Sequence, residues 1–370
     1  MKPLLFLLLF ISLTFKINYA QTDADFSAIP EIRNPEAAEI AGLTVELLDS
    51  LIKKPLFEFT PTEVEKYIAY LHIVEPDLRK RIQHLAKKNI GQPYEIYLLG
   101  EYPFEIYDGE PLYSLDKSDC VVFSEHTYAM ALSKNWKQFF AMLQRIRYKD
   151  GVIGMLTRNH YTEADWTNNN SWLISDITNE IAKGKTNKVK TKINRAAFFS
   201  KFNIGKDIPV QYIEWEYIPA DKIEDVLKTL KTGDFVNVVR GYEPAEPWVG
   251  HVGLVSVEYD GTVNFIHSTE PEVKIQTMMS YVEYQLELTE KRKKENPEID
   301  KKNAKIREDN KKLRAGNNGE PHPDEQPLLR KNPYFYGLKF FRLNEDAFER
   351  LKKIDGQYAP RVTIYGSDSN

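Results

Sequence analysis

Among 370 residues there is one cysteine, Cys120, and there are seven histidines. A thiol and an imidazole are the two parts that nucleophilic amide hydrolysis needs: one attacks the carbonyl carbon, the other moves the proton. A single cysteine has no internal disulfide partner, so this thiol is not a covalent staple. On its own it reads as a small buried hydrophobe, but its surroundings change that. Cys120 opens an apolar helical pattern over residues 120–133, preceded by Ser118 and Asp119, either of which can cap the helix. On a first helical turn, unpaired N–H groups and the macrodipole favour a thiolate.

The histidines sort by context. His251 stands in Gly250-His251-Val252-Gly253, at the start of an apolar strand, and His267 closes the next strand in Phe265-Ile266-His267. A two-residue Asp260-Gly261 turn would put them on opposite faces. A three-residue loop, Tyr259-Asp260-Gly261 with Gly261 left-handed, gives a bulged hairpin. That register sets His267 opposite Gly253 and diagonal to His251 on one face, so the three-residue loop is predicted. The competing reading, two half-buried strand histidines without chemistry, is weakened by Cys120. His126 reads as packing or surface, and His72, His84 and His322 carry no supporting context. No His/Asp/Glu cluster has ligand-like spacing, so neither a metal nor another cofactor is expected.

These residues need elements to hold them. Helical periodicity covers residues 35–53, 62–88 and 135–148, and residues 150–170 read as a long polar and aromatic loop. From about residue 171 strand patterns take over, clearest at 235–239, 252–258, 263–267 and 336–343. Residues 289–313 are dense in Lys, Glu, Arg, Asp and Asn and read as a solvated helical excursion inserted before the last strand. Helices followed by an antiparallel sheet make the fold class α+β. The start of the chain reads as an export signal: Lys2, an apolar run over residues 4–15, and Ala20 at a cleavage site. That run is short for a membrane span; an uncleaved anchor is the alternative. The expected plan is a signal at 1–20, a helical extension at 21–88, and a catalytic domain at 89–370 with an insertion at about 289–327. A net charge of −4 without a basic face argues against a nucleic-acid partner.

Asp119-Cys120-Val121-Val122-Phe123, Gly233-Asp234-Phe235-Val236, Gly250-His251-Val252-Gly253 and Phe265-Ile266-His267 resemble, in order and spacing, the NlpC-type cell-wall cysteine peptidases, which have a papain-like fold. The residues from Arg145 to Gly151, Thr157-Arg158-Asn159-His160-Tyr161 and Asp165-Trp166 resemble more closely the N-acetylmuramoyl-L-alanine amidase-like family. The resemblance implies Cys120 as nucleophile, His251 as base and His267 as the residue orienting it. Tyr94, in Gly91-Gln92-Pro93-Tyr94, would stand beside the nucleophile. Asp119, Arg158, Asn159, His160 and Tyr161 are expected to meet substrate, Arg158 because guanidinium pairs well with the carboxylates of wall peptides. The implied substrate is peptidoglycan or a muropeptide, with no stable membrane anchor after signal cleavage. Three rivals stay open: an endopeptidase cutting between D-glutamate and the diamino acid, an acyltransferase with the same Cys-His site, and a non-catalytic wall-binding module.

Overall fold

The computed structural model describes residues 32–243 and 247–355; the signal reading over residues 1–20 lies outside them. Four helices come first: α1 (Pro35–Ile40), α2 (Val45–Lys53), α3 (Pro61–Val74) and α4 (Leu78–Lys88). Sequence periodicity joins α1 to α2 and α3 to α4, and the backbone separates both pairs. Gly42, at φ +72°, turns the chain after α1. Glu75, preceding Pro76, is extended, and Asp77 then caps α4 by accepting from the Arg79 and Lys80 N–H groups. Arg79 anchors α4 to the sheet. It donates to the Thr232 and Leu343 carbonyls (2.7 and 2.8 Å) and stands 3.3 Å from buried Asp234.

The pair α5 (Cys120–Ala131) and α6 (Trp136–Arg147) follows, within a residue or two of the expected spans. α5 packs against α4, α6 and the sheet, so every residue from Val122 to Ala131 is buried. Three short helices, α7 (Thr167–Asn169), α8 (Thr178–Ala182) and α9 (Arg195–Phe199), lie among the first strands.

Eight antiparallel strands form the sheet: β1 (Ile174–Asp176), β2 (Asn187–Ile193), β3 (Gln211–Pro219), β4 (Phe235–Gly241), β5 (Trp248–Val257), β6 (Val263–Thr269), β7 (Glu272–Thr277) and β8 (Tyr334–Leu343). Their order is β2-β3-β8-β4-β5-β6-β7, with β1 also paired to β8. The α+β class with an antiparallel sheet against the Cys120 helix is therefore what forms, and the last strand lies inside it, between β3 and β4.

Between β7 and β8 runs α10 (Met278–Gly316), and α11 (Ala347–Asp355) follows β8. α10 begins inside the core, where Met278, Tyr281 and Val282 pack with Val238, Phe265 and Phe340, well before the charged run at 289. Further out, Thr289, Asn296, Asn303 and Asn310 recur every seven residues and so share one face. Phe335 N–H donates to the Thr289 hydroxyl (2.9 Å). Asn296, Asn303 and Asn310 each donate to, and accept from, the backbone of Asn332, Leu329 and Gln326 respectively. Those partners recur every three residues. Three extended residues span about 9 Å and seven helical residues about 10 Å, so the two chains stay in step.

Candidate active site

Asp119 adopts an extended backbone and its Oδ1 accepts from the Val121 and Val122 N–H groups at 2.9 and 2.8 Å. It is the cap that leaves Cys120 on the first turn of α5. Two clamps fix this turn against the rest of the site. The Ser118 hydroxyl donates to Gln92 Oε1 (2.7 Å), and the Ser268 hydroxyl, next in chain to His267, donates to the Ser118 carbonyl (2.7 Å).

The hairpin β5–β6 closes as the three-residue loop predicts. Glu258 N–H donates to Thr262 O and Gly261 N–H to Glu258 O, with Gly261 at φ +84°. The ladder pairs Leu254 with Ile266, which sets His267 across from Gly253. A Cβ added at Gly253 would fall 2.8 Å from the His267 Cβ and 2.6 Å from the Ile266 carbonyl. His251 Nε2 then meets His267 Nδ1 at 2.7 Å. Phe265 stacks on the His267 ring (4.5 Å, 13°) and Tyr281 meets it edge-on at 5.3 Å. Beyond it, His267 Nε2 lies 3.4 Å from the Gln276 side-chain amide.

Cys120 and His251 border one cleft of 330 Å³ together with Tyr94, Asp119, Arg240 and Glu270. Burial, and then Asp119, push the Cys120 thiol up to about 12, against the opposing pull of the Val252 N–H and Arg240. Burial, then His267 and Arg240, hold His251 well below the usual 6.5, and burial with Arg240 and Lys274 brings His267 to about 3. The resting pair is therefore a neutral thiol and a neutral imidazole. This corrects the expectation of a thiolate held by the helix N-terminus: desolvation outweighs the dipole at this depth. Tyr94, raised to about 12 by burial and by Cys120, keeps its hydroxyl proton at neutral pH.

The other expected substrate contacts divide. Asp119 borders the cleft, but one of its oxygens is occupied as the cap. Arg158 does not border it: its guanidinium is paired inside the protein with Glu101 (3.3 Å) and Asp108 (2.8 Å), and it donates to the Leu99 carbonyl. Asn159 is likewise engaged, donating to the Ile146 carbonyl and accepting from Asn169. Both are already satisfied inside the protein, Arg158 by carboxylates about fifty residues upstream and Asn159 by a carbonyl and an amide 13 and 10 residues away. His160 and Tyr161 line a second cavity of 540 Å³ with Glu163, Lys192 and Trp248. Its lining includes Val249, next in chain to Gly250 of the cleft. The Arg147 of the 145–151 motif serves α5 from behind, pairing with buried Glu125 at 3.3 Å. His126 is a packing residue, its two ring nitrogens engaged by Val122 O and Ser114 N.

Sequence reasoning missed Arg240, Glu270 and Gln276. Arg240 left one signal, a cation closing the strand-like run Phe235-Val236-Asn237-Val238-Val239. Glu270 and Gln276 left none. An arrangement of half-buried thiol, imidazole and a second imidazole in line can support attack on a carbonyl with proton transfer. Among the described residues no group of His, Cys, Asp and Glu is placed to hold a metal ion.

No curated protein matches the sequence. Among solved structures, a Legionella pneumophila protein assigned to DUF1460 aligns with a TM-score of 0.57 at 17% identity, covering 76% of this chain and 94% of that one. An N-acetylmuramoyl-L-alanine amidase from Bacteroides uniformis aligns with a TM-score of 0.47 at 18% identity, covering 72% and 99%. The first of these likenesses speaks for the fold. The family model described as AmiA-like, N-acetylmuramoyl-L-alanine amidase-like, matches residues 84–288, more than half of the chain and all the cleft residues named above. The chain belongs to the N-acetylmuramoyl-L-alanine amidase-like family.

Proposed function

We propose that this chain is an exported cysteine amidohydrolase, of papain-like NlpC type, that cleaves amide bonds of peptidoglycan or muropeptides. The observation that carries this reading is the cleft itself. Cys120, on the first turn of α5, shares it with His251, whose far nitrogen is held 2.7 Å from His267. The amidase-like family supports the substrate class.

In this reaction His251 Nδ1 takes the thiol proton as Cys120 Sγ bonds to the amide carbonyl carbon. The oxygen becomes an oxyanion held by the Cys120 backbone N–H and the Tyr94 hydroxyl. Collapse breaks the C–N bond, and His251 returns the proton to the leaving amine. Water, deprotonated by His251, then attacks the thioester and restores the thiol. For His251 to present a lone pair to the thiol, its Nε2–H must donate to His267 Nδ1, so the His267 proton sits on Nε2. The Gln276 amide nitrogen stands 3.4 Å from that atom, so this tautomer requires the amide to turn its Oε1 toward His267.

Incubating defined muropeptides with wild type, Cys120→Ala and His251→Ala, with products read by mass spectrometry, tests the proposal. Cys120-dependent release of free peptide from the sugar is the expected result. A Cys120-dependent cut inside the peptide would move the bond to an endopeptidase site and leave the mechanism standing. Unchanged wall fragments with all three proteins would overturn the substrate class. Secretion of the full chain with loss of its first residues, read by N-terminal sequencing, tests export; retention of the whole chain in the membrane or cytoplasm would refute it.

A further inference from the structure

The two glycines of Gly250-His251-Val252-Gly253 have different positional reasons. Gly253 admits His267, as described above. Gly250 admits Arg240: a Cβ there would fall 3.0 Å from the Arg240 Cδ and 3.3 Å from its Cβ. The side-chain stem of Arg240 thus lies along the backbone of Gly250, one residue from His251. Register shifts on both neighbouring ladders accompany this contact. The β4–β5 pairing steps from Val238–His251 to Val239–Val249, leaving Gly250 unmatched, and the β4–β8 pairing slips between Val239 and Arg240. Bulges of this kind re-aim a side chain, and here the side chain is a guanidinium on the wall of the cleft that holds Cys120.

Several other arginines of this protein with little exposure meet carboxylates: Arg79 and Arg342 share Asp234, Arg147 meets Glu125, and Arg158 meets Glu101 and Asp108, whereas Arg292 donates to the Pro333 carbonyl. Arg240 has no carboxylate within ion-pair distance among the described residues. Its one hydrogen bond is a long donation to the Tyr281 hydroxyl, at 3.4 Å, and its buried Nε has no partner. The charges that reach Cys120, His251 and His267 from this side include the Arg240 cation, while the acidic wall of the cleft, Glu270, lies by Tyr94. A guanidinium kept beside a nucleophile without an internal counter-ion is matched by an anionic group on the bound molecule, and the planar fork suits a carboxylate.

We propose that Arg240 forms a carboxylate subsite beside Cys120, selecting molecules that carry a free carboxylate close to the bond being cut. The substrate side of this inference rests on Cys120 being the nucleophile of the proposed hydrolase; the binding of a carboxylate can be read independently.

The test therefore has two arms. The first compares the alkylation rates of Cys120 by iodoacetate and by iodoacetamide, which differ in the carboxylate, at a fixed alkaline pH. The iodoacetate-to-iodoacetamide ratio is expected to be about tenfold higher in wild type than in Arg240→Gln, with Arg240→Lys, which keeps the charge, in between. The second measures kcat/KM for wall peptides bearing the D-glutamate α-carboxylate and for the same peptides with that group as a carboxamide. Wild type is expected to prefer the carboxylate by about tenfold or more, and Arg240→Gln to lose the preference. Equal alkylation ratios in wild type and both variants would overturn the subsite, as would a carboxylate preference that survives in Arg240→Gln. A ratio that depends on Arg240 in a protein that cuts no wall peptide would uphold the subsite and refute the wall-peptide substrate class.

Discussion

The cleft around Cys120 and the outer half of α10 treat polar groups in opposite ways. Along α10 the three asparagines each hold both backbone groups of a partner in the returning chain, and Arg314 closes the far end with two bonds to Glu325, each 2.6 Å. In the cleft the thiol and imidazole are desolvated and neutral, and Arg240 has no counter-ion among the described residues. The contrast teaches that this chain can satisfy its polar groups when only shape is required. Where it leaves them open, beside the proposed nucleophile, a bound molecule is expected to complete the set. Changes to the open polar side chains of the cleft should therefore move chemistry with little effect on folding, and changes to the asparagines of α10 should do the reverse.

The largest expected effect is from Cys120→Ala, which should reduce turnover of a muropeptide by about 10⁴-fold or more while barely moving the thermal midpoint. A variant retaining a tenth of wild-type rate would break the contrast at its root. Next comes Gly253→Ala. The added methyl meets His267, Phe265 and the Ile266 carbonyl at under 3 Å, so His267 must shift. Turnover should fall by about 10²-fold and stability by about 1–3 kcal/mol, read by kinetics and denaturant titration. If turnover is kept, the alignment of the two histidines is not what the reaction needs.

The pH profile sharpens the same point. In the proposed reaction His251 acts in its neutral form, and burial, His267 and Arg240 hold its protonation well below 6.5. Lowering pH through 6.5 therefore leaves it neutral, and kcat/KM should stay level there and fall only in more acidic solution. Arg240→Gln removes one positive neighbour and should move that fall to higher pH. An acid limb at 6.5 in wild type would show an imidazole as solvated as a free histidine.

On α10, Asn303→Ala strips both bonds from Leu329 and should lower stability by about 1–2 kcal/mol. Hydrogen exchange should accelerate in the 326–332 segment while turnover is unchanged. A change in kcat would tie the arm to the cleft. The smallest effect belongs to Lys312→Ala, which breaks an exposed pair with Glu308 and should leave the thermal midpoint essentially unchanged.

The local geometry of this site was more legible in the sequence than its surroundings. The turn at Tyr259-Asp260-Gly261 was readable because one left-handed glycine fixes the register, and register fixes which histidines share a face. The start of α5 was readable because a cap and a helix period are local. Strands β2, β3 and β7 were harder, since Lys188, Lys190 and Glu214 alternate with few apolar residues and the β2–β3 pair is largely exposed. Arg158 was misplaced because its partners, Glu101 and Asp108, lie about fifty residues upstream. Arg240 was overlooked because its role depends on bulges in two ladders, which pairing rather than composition creates.

The central claim is a covalent intermediate on Cys120. The direct measurement is rapid mixing of protein with a defined muropeptide, acid quench, and intact and peptide-mapped mass spectrometry. The predicted result is an adduct equal to the acyl half of the cleaved amide, located on Cys120, which decays as product forms and is absent from Cys120→Ala. Product formed by Cys120→Ala at the wild-type rate, or an adduct on another residue, would contradict it.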